Sequence, residues 1–158
     1  MYKRILVALD GSRAARLALD EAVKLAQAPE AKVIAVCVVE HAAQLVDLGT
    51  GFIDALPAGT AAEEAAQAML AEAAEVFAQH NVQGVTREED AYGEGVTYVL
   101  ARIAAEWEAD LVVMGTHGRH GAQRALFGSV AESFLRHTEL PVLLVRQQTA
   151  EPQTPSRV

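Results

Sequence analysis

The residues best equipped for chemistry lie between Gly115 and Ser129, in the run GTHGRHGAQRALFGS. Gly115, Gly118, Gly121 and Gly128 carry no side chain to hold a ligand away, so their backbone amides can turn toward one. Arg119 and Arg124 add positive charge, and His117 and His120 add ring nitrogens. From Leu111 through Ala131 there is no Asp or Glu, the longest such gap in an acidic chain. A helix starting near Ser129 would aim its positive end, with unpaired N–H groups, at the same spot. Bare amides, a helix tip and the local removal of negative charge make an anion site, and a polyphosphate is its natural occupant. The plainer alternative is a flexible glycine-rich surface loop. It loses ground because the run follows an apolar strand and ends on Gly-Ser at a helix start.

A second cluster, Leu9-Asp10-Gly11-Ser12, closes the first apolar run. As a turn residue, Asp10 would satisfy backbone N–H groups there. As a functional residue it would bring a carboxylate to ribose or to a phosphate-bound Mg²⁺. The second reading is preferred, on the ground that an acid at that edge otherwise lacks a partner.

Sharper motifs are absent. Lys3, Lys24 and Lys32 all come early, so there is no Gly-x4-Gly-Lys-[Ser/Thr] phosphate loop. Asp-Gly-Ser after the first strand is not the Gly-x-Gly-x-x-Gly of dinucleotide sites. His117 and His120 have no third ligand type nearby in sequence and read as surface or phosphate-contacting histidines. No nucleophile elbow is present. Cys37, inside VIAVCVVE, reads as a small buried hydrophobe. Trp107 reads as packing its helix end against a sheet.

The elements that must position these clusters show in the hydrophobic pattern. Continuous aliphatic runs at Ile5–Leu9, Val33–Val39, Leu111–Met114 and Val142–Val145, with a weaker one over Val82–Ala91, suit strands covered on both faces. Helical spacing fills Ser12–Gln27, Ala61–His80, Val96–Trp107 and Ser129–His137. On the first helix, Ala15, Leu19, Val23 and Ala26 make one stripe. Ser12 can cap that helix, Thr60 with Glu63 forms a capping-box pattern, and Pro141 opens the last strand. The order βαβαβαβαβ predicts an α/β fold: one open parallel sheet with right-handed crossovers and helices on both faces. His41–Gly59 is a long connection of the kind that is functional or mobile. Residues 1–147 read as one domain, and 148–158 as a disordered polar tail.

Bulk properties limit the function classes. A chain of 158 residues can bury a full core in one domain. Its formal charge of -8 argues against a nucleic-acid partner. One cysteine excludes an internal disulfide and a Cys-based zinc site. No apolar run approaches the roughly 20 residues that span a bilayer, and no secretory signal is visible, so a cytoplasmic location is expected.

At this point the chain resembles the universal stress protein family from Tyr2 to Arg146, through KRILVALDGS, DLVVMGTHGR and the GSVAE…PVLLV ending. Gly115-x2-Gly118-x9-Gly128-Ser129 is similar to the motif of that family's ATP-binding branch. The resemblance implies a Rossmann-like sheet in the order 3-2-1-4-5, of the adenine nucleotide alpha hydrolase-like kind. It implies that Gly115, Gly118, Gly128 and Ser129 hold phosphates and ribose, and that Arg119 reaches the triphosphate. Ala8, Leu9 and Asp10 would line the nucleotide, Val38 would meet adenine, and Met114 and Val130 would supply apolar wall. ATP (or AMP or ADP) with Mg²⁺ near Asp10 is the implied cofactor set. The resemblance further implies a homodimer through the last strand, Pro141 to Val145, whose apolar edge would otherwise invite aggregation.

Three functions stay open: an ATP-binding stress-response regulator with at most slow hydrolysis, a nucleotide-gated adaptor for a transporter or other protein partner, and a phosphotransferase or nucleotide hydrolase. The enzyme reading finds no evident base or nucleophile in the phosphate segment besides Asp10 and the two histidines.

Overall fold

Aliphatic residues in unbroken runs need cover on two sides, and the fold supplies it with helices on each face of one sheet. A computed structural model describes residues 1–27, 30–40, 58–91, 93–116 and 129–147, with backbone only for 58–60 and 129. The strands are β1 (Arg4–Leu9), β2 (Lys32–Val39), β3 (Gln83–Asp90), β4 (Leu111–Gly115) and β5 (Val142–Val145). The helices are α1 (Arg13–Leu25), α2 (Ala58–Gln79), α3 (Val96–Glu106) and α4 (Ser129–His137). All pairings are parallel, in the order β3-β2-β1-β4-β5. The sequence-based expectation of sheet, order and helices on both faces holds.

Alternation along the strands sorts the core into two halves. Ile5, Val7, Leu9, Val33, Ala35, Cys37 and Val113 pack with residues of α1 and α2. Leu6, Ile34, Val36, Val112 and Met114 pack on the other face with residues of α3 and α4. Phe134 of α4 and Ile103 of α3 are fully buried there, each contributing about 1.5–3 kcal/mol through removal of apolar surface from water. The α1 stripe of Ala15, Leu19, Val23 and Ala26 is buried as expected, and so is Cys37.

Local chemistry sets the element ends. Ser12 caps α1, its hydroxyl accepting from the Ala15 amide at 3.1 Å. The α2 start departs from expectation. The helix begins at Ala58, which puts Thr60 inside its first turn and removes Ala58 and Gly59 from the long connection. Ala58, Ala61 and Ala62 are strong helix formers and carry the helix through Gly59. Pro141 lies just before β5, and its carbonyl accepts from Val112 at 3.0 Å, a bond that needs no N–H from proline. The rest of the long connection and the polar tail beyond Gln147 lie outside the described residues.

Two features tie distant segments together. The Asp110 carboxylate accepts from the amides of Lys3 (2.8 Å) and Arg4 (2.9 Å). Arg4 also stacks on Trp107, 4.5 Å from the ring centroid, and donates from Nε to the Trp107 carbonyl. Edge strand β3 is fastened to α3 by ion pairs of Arg87 with Glu106 at 3.0 Å and of Glu89 with Arg102 at 3.3 Å, and Arg87 also pairs with Glu89 within the strand at 3.0 Å. Desolvation works to lower the Arg87 pKa, but hydrogen bonds and charge from Glu106 and Glu89 outweigh it and raise it.

Candidate functional site

Among the described residues, the sheet opens between β1 and β4. β1 pairs with β4 only through Ile5–Leu111, Leu6–Val112 and Val7–Val113. Beyond that level Ala8 and Leu9 pair with β2 alone, while Met114 and Gly115 pair with β5 alone. The carboxyl ends of the two central strands therefore part company. From this gap α1 leaves toward one face and α4 toward the other, as their separate cores show. A crevice between strands whose connections leave to opposite faces is where open α/β sheets hold ligands. Both helices start at this end of the sheet, so their N-terminal amides and dipoles favour an anion there.

The described candidate residues divide by face. Ala8, Val38 and Val130 are partly buried against the α3/α4 core, and Met114 is buried within it. These four form an apolar set at the carboxyl end of the sheet, on the side from which α4 leaves. Leu9 does not join them. Its side chain is 8% exposed and packed beneath α1 and α2, so only its backbone is available to a ligand.

Gly115 is explained first by packing. A Cβ placed on it would come within 2.7 Å of the Ala14 carbonyl carbon and Cβ, and 2.9 Å of the Ala15 nitrogen. The missing side chain lets α1 cross close to the end of β4. Asp10 also has a structural task. Its Oδ1 accepts from the Ser12 amide at 2.8 Å, an Asx turn across Gly11, whose φ of 83° lies in the left-handed region. The premise that this acid lacks a partner is thus corrected: the turn reading holds, because a short carboxylate two residues ahead of an exposed amide folds back onto it.

Thr116 is the residue that sequence reasoning passed over. It is 1% exposed, and among the described residues its Oγ1 has no hydrogen-bond partner. Its amide still donates to the Val145 carbonyl at 3.0 Å, so it continues the β4–β5 ladder by one residue. The available signal was alternation: a hydroxyl two places beyond Met114 must face the same apolar side.

Gly118, Arg119, Gly128, His117 and His120 lie outside the described residues, as does the Ser129 side chain; Ser129 itself begins α4. His80 and His137 are exposed, each with Nδ1 against a carbonyl of its own helix. Among the described residues, no group of three or more His, Cys, Asp or Glu could hold a metal ion. No described helix is long and apolar enough to cross a membrane.

Similarity to known proteins agrees with this architecture. The chain is 31% identical over 157 residues to a Staphylococcus saprophyticus protein bearing the universal stress protein name, covering 93% of this chain and 85% of that one. Among solved structures, a universal stress protein family member from Burkholderia pseudomallei is 34% identical, with a TM-score of 0.71 over 91% of this chain and 96% of that one. The Archaeoglobus fulgidus universal stress protein in complex with dAMP shares the fold at 21% identity, with a TM-score of 0.66 over 91% of this chain and 98% of that one. A universal stress protein in complex with cAMP does so at 24% identity, with a TM-score of 0.64 over 93% and 98%. The Universal stress protein family model matches residues 1–146, and the chain belongs to that family.

Proposed function

We propose that this chain is an ATP-binding regulator of the stress response, working in the cytoplasm as a homodimer. The observation that carries the reading is the parting of β1 and β4 beyond Val7 and Val113, with α4 starting at Ser129 beside it. That gap coincides with the Gly115-x2-Gly118-x9-Gly128-Ser129 spacing and with the acid-free stretch Leu111–Ala131. Adenine nucleotides held by two proteins of the same fold, one with dAMP and one with cAMP, support the ligand class.

In this reading the phosphates lie at the α4 tip, held by amides of Gly118, Gly128 and Ser129 with Arg119 as counter-charge. Ala8, Val38, Met114 and Val130 form the apolar wall for the nucleoside. The residues present fit such a ligand: helix N-termini favour the anion, and a buried hydroxyl at Thr116 has a hydrogen bond to offer. Mg²⁺ would neutralise phosphate charge. Asp10, at the end of β1, is the carboxylate assigned to it, with Oδ1 shared with the Ser12 amide.

Calorimetric titration with MgATP tests the proposal. The wild-type chain is expected to bind, and Gly118→Val is expected to lose binding while keeping its circular dichroism spectrum and melting temperature. Unchanged affinity in Gly118→Val would remove the phosphate assignment.

A further inference from the structure

We infer that the Thr116 hydroxyl is a phosphate-positioning group, completing its hydrogen bonding only when a nucleotide occupies the crevice; the inference rests on the nucleotide reading above. A buried hydroxyl without a partner is costly, and protein interiors rarely keep one. Thr116 is 1% exposed, and its Oγ1 is unpartnered among the described residues. It is one of only two buried polar or charged side chains among the described residues, the other being Thr97.

Its position explains why such a group persists. Val112 and Met114 face the α3/α4 core, and the absent Gly115 side chain faces α1. Alternation therefore turns the Thr116 side chain toward the α4 side of the sheet, one step past Met114. Carrying the β1–β4 register three steps beyond Val7–Val113 brings Thr116 level with Asp10 across the gap where the two strands have parted. The side chain thus lies buried at the carboxyl end of β4, on the side from which α4 departs. Helix amides at that end are donors and cannot accept the hydroxyl proton. A phosphate oxygen can, and it is the acceptor that anion binding brings to this corner.

Thr116→Val keeps the side-chain shape and removes only the hydroxyl. Titrated with MgATP, it should bind about tenfold or more weakly than wild type. With adenosine, which lacks phosphate, the two should differ by less than twofold. Thr116→Ser, which keeps the hydroxyl and drops the methyl, should bind MgATP close to wild type. Without nucleotide, Thr116→Val should melt at the same temperature as wild type or higher, since an unsatisfied group has been removed.

Equal MgATP affinity in wild type and Thr116→Val overturns the inference. So does an equal loss with adenosine, failure of Thr116→Ser to restore binding, or a lowered melting temperature of nucleotide-free Thr116→Val, which would reveal a structural partner. A wild-type chain that binds no MgATP overturns the nucleotide reading itself, and this inference with it.

Discussion

Gly115 shows how one position can carry two constraints that only coordinates separate. In the sequence it is the first glycine of the Gly115-x2-Gly118-x9-Gly128-Ser129 spacing proposed to hold phosphates. In the fold its bare Cα accommodates the backbone of α1, with Ala14 atoms 2.7 Å from where a Cβ would stand. Backbone cannot give way as a flexible side chain can, so Gly115→Ala should destabilise the chain by about 1–3 kcal/mol even without nucleotide. Urea unfolding of the nucleotide-free protein measures it, and unchanged stability would return Gly115 to the ligand alone. The Gly115 contact could not be read in the sequence, because it depends on how closely a helix approaches a strand end; the side that Thr116 faces could, by alternation from Met114, but not that its hydroxyl finds no partner among the described residues. Asp10 is the opposite case. Its spacing to Ser12 was in view from the start, but an Asx turn uses the same residue types as a binding site.

Among the elements, strands were easiest to recognise where burial on both faces demands unbroken apolar residues. β1, β2, β4 and β5 fall within a residue or two of their apolar runs. β3 was faint because QGVTREED lies at the sheet edge, where Arg87 and Glu89 are held by ion pairs to α3 instead of by apolar cover. Such exposed pairs contribute under about 1 kcal/mol each, yet charge along an edge discourages unwanted strand pairing. Gly84 shapes the same edge, since a Cβ there would run into the Phe77 ring of α2. The cap of α1 was plain in the sequence: Ser12 stands where a helix at the mouth of β1 needs an acceptor. Ser12→Ala should lower stability by about 1 kcal/mol, with thermal unfolding as the measurement. The α2 start was misread because a Thr and a Glu three apart form a capping pattern wherever they occur, while the alanines around them let the helix begin earlier. Most of the segment proposed to bind an anion, residues 117–128, lies outside the described residues, and spacing and charge carry its assignment.

For the molecule as a whole, the two sheet edges differ. β3 is eight residues long and charged; β5 is four residues long, with Leu143 37% exposed. A short apolar edge suits pairing with a second copy of the chain. Leu143→Asp should therefore convert a dimer to a monomer in light scattering, and a wild-type monomer at micromolar concentration would defeat the dimer proposal. The clasp of Asp110 on Lys3 and Arg4 has a different kind of consequence. It joins positions 107 and 106 residues apart, and β1 meets β4 only beside it. A ribosome adding about 5–20 residues per second needs on the order of ten seconds to travel from one to the other. Throughout that interval the nascent chain carries a central strand with one sticky flank bare. Stalled translation under harsh conditions would lengthen that exposure, so newly made copies are most vulnerable to clumping before residue 115 has emerged.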